Sequence, residues 1–383
     1  MVSRIEPGED EEPPQLLEAE IPDVSKFERS KVPITLLTGY LGAGKSTLLQ
    51  YILKENHGYR IAVCMNDFGD TTDIESKALT FSGSNSSEST SSFLSLPNGC
   101  LCCSVKDMGI AAIEEMVASA PGGVDWVVVE LTGVADPAPI VRSFWSNEEM
   151  GDLILDGVVC VVDSRNVLNQ LAEKKAPGEI NECQKQVACA DVILLNKIDL
   201  VTEDQLRDVK TVVKRLNPTL RMHHTTNSQV PLEEMFNIRA FSNSDVTDIR
   251  QIEGQPDHSR TFECLHNHDH DQGASLHSKI TTALIPLPTL ACSQFDKLNS
   301  FLESLLWSNQ FPSTSSPAPD ILRTKGYITV DDGRAFVLQG VTDLFELTKV
   351  DDKKGEKVQG KIVFIGRGVT GEVKHKLEKW VGL

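Results

Sequence analysis

The segment GYLGAGKS, which begins at Gly39, matches the pattern G-x-x-x-x-G-K-[ST] of a phosphate-binding loop. In such a loop the glycines let backbone N–H groups close around phosphate oxygens, the lysine reaches the β/γ oxygens, and the hydroxyl binds Mg²⁺. An apolar strand precedes the segment and a helical run follows it, as a P-loop requires. Lys45 is the candidate catalytic residue and Ser46 the candidate magnesium ligand. The predicted phosphate-binding residues are Gly39, Gly42, Ala43, Gly44, Lys45, Ser46 and Thr47.

Two further apolar runs end in polar side chains that suit the same ligand. WVVVELTG carries Glu130 at its end, where a carboxylate can hold the water shell of Mg²⁺ or orient an attacking water. VILLNKID brings Asn196, Lys197 and Asp199 to the carboxyl edge of a sheet, where α/β folds bind ligands. A carboxylate there can accept hydrogen bonds from N1–H and the exocyclic NH₂ of guanine, whereas adenine has no donor at N1. The sequence therefore predicts GTP as the nucleotide and Glu130 as a second catalytic residue.

Three cysteines, Cys100, Cys102 and Cys103, lie in the segment PNGCLCCSVKD. Thiolates in a reducing compartment favour Zn²⁺ or Cu(I), and three ligands leave one tetrahedral position for a carboxylate, a water or a ligand of a receiving protein. Asp67 is the candidate for that fourth position. A vicinal disulfide and burial in a core are the alternative interpretations. The other cysteines stand singly, mostly in apolar runs, and are predicted to lie in the core: Cys64, Cys160, Cys183, Cys189, Cys264 and Cys292.

Composition and charge limit the class of protein. The 383 residues include 37 Lys and Arg against 55 Asp and Glu, a net charge of −18 that repels phosphate backbones and anionic lipids. We therefore expect neither a nucleic-acid nor a membrane partner. No apolar run reaches the roughly 20 residues of a membrane helix, and the amino terminus carries no targeting signal. A soluble protein of the cytoplasm, with the nucleus as a second location, is expected.

The elements that must position these residues follow from the apolar pattern. Between residues 32 and 241 short apolar runs alternate with helical stretches, which predicts an α/β P-loop domain with a parallel sheet. Strands and helices segregate in residues 279–383, which predicts a small α+β domain. The predicted strands of the first domain are 34–37, 60–65, 126–129, 158–162 and 192–195. Those of the second are ITTALIPL, GYITV, AFVLQ and KIVFIG, with helices over 293–307 and from Thr370.

Three segments lack the composition of a core. Residues 1–31 form a predicted disordered tail whose first 25 residues carry eight acids against Arg4 alone, with Leu16, Leu17 and Ile21 as a candidate docking motif. FSGSNSSESTSS, residues 81–92, reads as a flexible insertion. Residues 242–278 form a His-rich linker, for which weak zinc collection and a plain polar linker are both open. Its histidines are His258, His266, His268, His270 and His277.

Five motifs in one order, GYLGAGKST, NDFGD, NGCLCCSVKD, ELTGVADP and NKID, resemble the CobW-type GTPases of metal homeostasis. RTKGYITV and KIVFIGR resemble the carboxyl-terminal domain of that family, so the resemblance extends from Val32 to Leu383. Within the family, FWSNEEMGDLILDGVVCVVDS is most similar to the eukaryotic zinc-regulated GTPase metalloprotein activators. The resemblance implies a SIMIBI-like GTPase fold with a zinc site, here Cys100, Cys102 and Cys103, that is coupled to GTP turnover.

The resemblance also implies a function. It implies a zinc metallochaperone that uses GTP, Mg²⁺ and Zn²⁺ and transfers zinc to a client metalloprotein, which for the zinc-regulated members is type 1 methionine aminopeptidase. The sequence departs from the family at Asp67 and Asp70, which stand for Glu, and at Leu131, which stands for Thr. The tail has PPQLLEAEIPDVS where vertebrate-like members carry Cys-Pro-Glu-Leu-Val-Pro. Delivery of cobalt or another metal, and GTP-gated zinc buffering or sensing, are the alternative functions, and no oligomeric state is predicted.

Overall fold

The computed structural model describes residues 31–55, 57–65, 94–95, 101–104, 110–120, 122–176, 179–241, 280–312, 318–350 and 359–383. These residues contain an eight-stranded and a five-stranded sheet, which belong to one unit, Lys31–Leu383. None of the helices in these ranges is both long and apolar enough to cross a membrane. The acidic tail, the serine-rich insertion and the His-rich linker lie outside the described residues.

The first sheet is built from the apolar runs of the amino-terminal part. Its strands are β1 (Val32–Thr38), β2 (Ile61–Met65), β3 (Leu94–Ser95), β4 (Leu101–Ser104), β5 (Trp126–Glu130), β6 (Leu153–Asp163), β7 (Val192–Asn196) and β8 (Arg221–His224). Their order is β3-β4-β2-β5-β1-β6-β7-β8, and every pairing except β3 with β4 is parallel. Every residue of β5 and β7 is buried, because both faces of a parallel sheet are covered by crossover helices.

Helices connect these strands: α1 (Lys45–Lys54), α2 (Ile110–Ser119), α3 (Pro137–Ser146), α4 (Val167–Ala172), α5 (Glu182–Cys189) and α6 (Glu203–Leu216). Helix α6 illustrates the local signals. Thr202 and Gln205 form a capping box at its start, and Glu203 and Asp204 in the first turn suit the positive end of the helix dipole. Its buried residues Val209, Val213 and Leu216 recur at helical spacing, so the sequence alone specifies which face packs inward.

The second sheet is antiparallel. Its strands are β9 (Ile280–Leu287), β10 (Asp320–Thr329), β11 (Ala335–Val341), β12 (Leu344–Val350) and β13 (Gly360–Arg367), in the order β12-β11-β10-β13-β9. One face buries Ile362 and Phe364 against α7 (Cys292–Leu306) and α8 (Gly371–Val381). The alternate residues Val363 and Ile365 join the hydrophobic core of the first sheet. The period of two along β13 therefore divides its side chains between two cores.

A buried cluster of charges joins the two sheets. Asp191, just before β7, accepts hydrogen bonds from Arg323 Nη2 at 2.7 Å and Lys325 Nζ at 2.8 Å, both on β10. The guanidinium of Arg323 also lies 4.4 Å from the centre of the Phe241 ring. Burial raises the pKa of Asp191, but the charges of Arg323 and Lys325 outweigh it, and the pKa lies below its ordinary value. The ion pair thus keeps a buried carboxylate charged.

The predicted fold class, a P-loop α/β domain followed by an antiparallel α+β domain, is confirmed, while the domain boundaries stay predictions. Two strands begin five or six residues before their predicted starts. Strand β6 begins at Leu153 and not at residue 158, because Asp156 and Gly157 interrupt its apolar pattern. Asp156 can be buried there because the backbone N–H groups of Ile238 and Arg239 donate to its carboxylate at 3.1 and 2.9 Å. Strand β10 likewise begins six residues before GYITV, and β12 lacked a clear sequence signal.

The single cysteines divide into two groups. Cys64, Cys160, Cys183 and Cys189 are buried, as expected, and Cys264 lies outside the described residues. The expectation is wrong for Cys292, which is exposed. It is the first residue of α7, and its thiol lies among polar groups, 3.5 Å from Asp332 Oδ2 and 3.7 Å from Arg334 Nη2. The buried face of α7 starts only at Leu298, so its first turn lies at the surface.

Candidate nucleotide site and cysteine strand

The loop between β1 and α1 requires glycine at two positions. Gly39 has a φ of 143° and Gly44 a φ of 118°, values that side-chain-bearing residues rarely adopt. A Cβ on Gly39 would lie 2.3 Å from the carbonyl oxygen of Val161 in β6, and one on Gly44 would lie 2.3 Å from Asn196 Nδ2 in β7. The loop therefore packs closely against β6 and β7, which come more than 100 residues later in the sequence. Only glycine fits at these two positions.

Lys45 begins α1 and is 8% exposed. Its Nζ donates a hydrogen bond to the carbonyl oxygen of Gly39 at 2.7 Å, so the side chain folds back across the loop. Burial lowers the pKa of Lys45, and the nearby charge of Glu130 partly opposes this shift. The next residues, Ser46 and Thr47, are exposed in the first turn of α1, where their hydroxyls are open to a ligand or a hydrated cation.

Glu130 is the last residue of β5 and stands opposite Leu37 in the ladder between β1 and β5. This register places Glu130 near the carboxyl end of β1, where the P-loop begins. The residue is 9% exposed, and burial raises its pKa while the charge of Lys45 lowers it. A carboxyl group with a raised pKa at this edge suits the orientation or deprotonation of a water beside a nucleotide.

Asn196 is buried, and its side chain joins two loops. Its Nδ2 donates to the carbonyl oxygen of Ala43 in the P-loop and to Ser228 Oγ, both at 2.9 Å. Its Oδ1 accepts from Thr225 Oγ1 at 3.1 Å and from the backbone N–H of Ser228 at 2.9 Å. The Ser228 hydroxyl donates in turn to the carbonyl oxygen of Gly44 at 3.0 Å. Asn196 therefore has an internal role in holding the P-loop beside the loop after β8.

Lys197 and Asp199 extend from the same turn towards the surface. Lys197 has a φ of 60°, and its Nζ donates to the carbonyl oxygen of Gly42 at 2.8 Å and to Asp163 Oδ2 at 2.7 Å. Burial raises the pKa of Asp163, but hydrogen bonds from Lys197 and Asn166 outweigh it, so the pKa lies below its ordinary value. Asp199 is exposed in a short 3₁₀ turn, where its carboxylate can meet a base.

Three residues of this arrangement were not predicted from the sequence. Asp163 ends the apolar run VVCVVD of β6, so its position at a strand's carboxyl end resembles that of Glu130 and would have been a usable signal. Thr225 and Ser228 lie in the polar cluster TTNS after β8, and nothing in that cluster shows which hydroxyls face Asn196. All three residues are buried, which separates them from ordinary loop residues.

The cysteine motif lies partly on β4. Cys102 and Cys103 belong to this strand, whereas Cys100 and Asp67 lie outside the described residues. The parallel register pairs Cys103 with Cys64 in β2, and Cys64 with Val129 in β5. Since neighbouring strands lie about 5 Å apart, the backbone of Cys103 is about 10 Å from the residue that precedes Glu130. Among the described residues no three His, Cys, Asp or Glu side chains form a metal-binding group, and two members of the predicted zinc set are not among them.

Comparison with known proteins identifies two family domains. The nucleotide-binding domain of CobW/HypB/UreG matches residues 33–224, and the carboxyl-terminal domain of the cobalamin synthesis protein cobW matches residues 291–379. Zinc-regulated GTPase metalloprotein activator 1 of Schizosaccharomyces pombe is 32% identical over 365 residues, with 91% of this chain and 84% of that protein covered. The zinc chaperone YjiA of Escherichia coli is 28% identical over 340 residues, with 88% and 94% covered. The crystal structure of Zn(II)-bound YjiA GTPase from E. coli matches with a TM-score of 0.66 at 25% identity, over 92% of this chain and 99% of that one.

Proposed function

The chain belongs to the CobW family, and we propose that it is a GTPase of that family that couples GTP binding and hydrolysis to the transfer of zinc to a client metalloprotein. Two relatives support this proposal by their names: a zinc-regulated GTPase metalloprotein activator, and the zinc chaperone YjiA, whose crystal structure is described as that of a Zn(II)-bound GTPase. The match to the YjiA structure covers 92% of this chain and includes both sheets, so the similarity is not limited to the P-loop.

The positions of the named side chains support hydrolysis of GTP at this site. Backbone N–H groups of the glycine loop bind the phosphates, and Lys45 can turn from the carbonyl of Gly39 to a phosphate oxygen. Asp199 accepts hydrogen bonds from guanine, while Lys197 stays anchored to Asp163 and the P-loop. Glu130 orients the attacking water at a buried strand end. Mg²⁺, for which the exposed hydroxyl of Ser46 and the carboxylate of Glu130 are suitable ligands, supplies charge neutralisation when bound.

The backbone ladder from Cys103 through Cys64 to Val129 is the observation that carries the zinc proposal. Because β2 lies between β4 and β5, we propose that a shift of backbone near Glu130 is transmitted to the cysteine strand through two rows of hydrogen bonds. We propose that zinc, the cargo, binds the thiolates of Cys100, Cys102 and Cys103, with Asp67 as the fourth ligand. Any effect of GTP on zinc affinity must then appear equally as an effect of zinc on GTP affinity.

A competition titration with a zinc chelator tests this coupling. We expect zinc to bind more tightly with a non-hydrolysable GTP analogue than with GDP, by about 5- to 150-fold, the usual range for such coupling. Replacing Cys102 and Cys103 together by Ser should remove the tight zinc site and leave GTP binding intact. Cys292→Ser is the matched control, since this exposed cysteine lies at the start of α7 in the second sheet domain. Equal zinc affinities in the two nucleotide states would reject the proposed coupling.

The proposed client is type 1 methionine aminopeptidase, on the basis of the resemblance to the zinc-regulated activators. The tail sequence PPQLLEAEIPDVS differs from the docking motif of vertebrate-like members, so the client is a separate proposal from zinc transfer. Binding of the purified apo-aminopeptidase to the zinc- and GTP-loaded chain tests it directly. Binding with the GTP analogue and release with GDP is the expected result, and no binding in either state contradicts this client.

A further inference from the structure

Gln186 places a buried amide against the loop that follows Glu130. The residue lies in α5 and is 1% exposed. Its Nε2 donates to the carbonyl oxygens of Gly133 at 3.0 Å and Ala135 at 3.3 Å. Since both partners are acceptors, only the NH₂ end of the amide can face them, which defines the orientation of the side chain. Gln186 therefore holds two carbonyl groups of the same short loop.

The segment that Gln186 holds is a tight turn seated on the P-loop. The backbone N–H of Ala135 donates to the carbonyl oxygen of Thr132 at 3.0 Å and closes the turn. A Cβ added to Gly133 would come within 2.6 Å of Leu41 Cδ2 and 2.9 Å of the Leu41 backbone nitrogen. Contacts with Leu41 of the P-loop and with Gln186 of α5 therefore fix the position of the turn.

These hydrogen bonds also direct the backbone donors of the turn. In a trans peptide the N–H and C=O groups point in opposite directions, and the described chain has no cis peptide. Because the carbonyl groups of Gly133 and Ala135 point at Gln186, the N–H groups of Val134 and Asp136 point away from it. The orientation of the donors beside the P-loop is thus tied to one side-chain amide.

The neighbouring residue of α5 strengthens this connection. Lys185 Nζ donates to Asp136 Oδ2 at 2.8 Å, and Asp136 Oδ1 caps α3 by accepting from the N–H of Ala138 at 3.1 Å. Gln186 Oε1, in contrast, is buried without a hydrogen-bond partner among the described residues. An apolar side chain of similar size would avoid the cost of burying that oxygen. The amide is therefore better explained by its two bonds to the turn than by packing.

We infer that Gln186 is a positioning residue for GTP hydrolysis, which orients the turn Thr132–Ala135 and the adjoining Glu130 against the P-loop. The inference rests on the proposed GTPase function. Gln186 lies behind the turn and touches neither the P-loop glycines nor the NKID motif in the described contacts, so it acts through the turn. Loss of its amide should misorient groups needed for hydrolysis while the binding contacts of GTP persist.

Gln186→Leu and Gln184→Leu form a matched pair. Gln184 lies in the same helix, is also buried, and uses its amide to donate to Leu171 O at 2.8 Å and to accept from the N–H of Ile280 at 3.0 Å. Both substitutions remove one buried amide, and Gln184→Leu should lose at least as much thermal stability as Gln186→Leu, because both ends of the Gln184 amide are hydrogen-bonded. Gln186→Leu should lower kcat roughly 10- to 100-fold, as small misplacements do, with the Kd of GTP within about twofold. Gln184→Leu should leave kcat within about twofold of wild type.

Gln186→Glu gives an independent test through pH. Its protonated carboxyl can donate to the carbonyl of Gly133, whereas its carboxylate is repelled by both carbonyl oxygens. We expect kcat of this variant to fall relative to that of wild type as pH rises from 6 to 9, whereas kcat of Gln184→Glu should stay in constant proportion to that of wild type. Equal kcat for Gln186→Leu and Gln184→Leu, or a pH profile of Gln186→Glu like that of wild type, would overturn the inference. Absence of hydrolysis by wild type would overturn the proposed function and, with it, this role.

Discussion

The side-chain amide of Asn196 lies 2.9 Å from the carbonyl oxygen of Ala43, across 153 residues of sequence. The same side chain binds Ser228 through both its nitrogen and its oxygen. Asn196 ends β7, and the next residue begins the turn that carries Lys197 and Asp199. One buried side chain therefore fixes the spacing between the loop proposed to bind phosphate and the turn proposed to bind the base.

Asn196→Ala should weaken GTP binding by more than its effect on stability explains. It leaves several buried groups without partners, which costs about 3 kcal/mol of unfolding free energy. It also releases the P-loop from the base-binding turn. Asn217→Ala is the control, because Asn217 is also buried and donates to the carbonyl oxygens of Val187, Ala188 and Ala190. Urea unfolding should show similar losses for the two variants, and GTP titration a loss of roughly tenfold or more for Asn196→Ala alone. Equal GTP affinities would contradict the role of Asn196.

Asp199→Asn should change nucleotide preference from GTP towards xanthosine triphosphate. The substitution exchanges an acceptor oxygen for a donor that faces the guanine N1–H and NH₂, whereas xanthine offers an oxygen in place of the NH₂. Asp199 is exposed, so the unfolding free energy should change by less than about 0.5 kcal/mol. Asp204→Asn, at another exposed position in α6, is the control and should leave the nucleotide preference unchanged. Unchanged GTP affinity in Asp199→Asn would remove this residue from the base site.

Asp156 should make the chain less stable as pH rises from 4 to 7. Burial raises its pKa to about 6 from an ordinary 3.8, against the opposing effect of the N–H groups of Arg239 and Ile238. Between these values the folded chain holds a proton that the unfolded chain has released, so the unfolding free energy falls with pH, by at most about 3 kcal/mol. Urea unfolding across this range should show that the unfolding free energy of wild type falls relative to that of Asp156→Asn as pH rises. A constant difference would show that Asp156 stays charged.

Two ion pairs should differ strongly in their effect on stability. Asp191 and Arg323 have side chains that are 2% and 1% exposed, and removal of one partner leaves a buried charge. Asp191→Asn should therefore cost about 3–5 kcal/mol of unfolding free energy. Arg142 of α3 and Asp343 of the turn between β11 and β12 also pair, at 2.5 Å, but their side chains are 46% and 49% exposed. Arg142→Ala should cost less than about 1 kcal/mol, which paired denaturation curves would measure. Similar losses of unfolding free energy in the two variants would show that burial does not determine how strongly each ion pair affects stability.

The sequence by itself determined the features that arise from neighbouring residues. The glycine loop, the apolar runs of the parallel sheet and the segregated strands of the second domain are local patterns, because strand, turn and helix preferences act within a few residues. The same patterns identified Lys45, Glu130 and Asp199 as candidates and placed Glu130 at the end of a strand. Strand β6 marks the limit of this reasoning, since Asp156 looks like a strand breaker until its distant N–H partners are known.

Only the tertiary structure decided which distant residues meet. Asn196 with Ala43, Gln186 with Gly133 and Asp191 with Arg323 are pairs separated by 153, 53 and 132 residues. Each is a buried polar contact. Because burial removes both groups from water, each group needs the other as its hydrogen-bond partner. Which strand lies beside which, and therefore which donor finds which acceptor, is set by the packing of the whole chain. The exposure of Cys292, for example, became evident only from that packing.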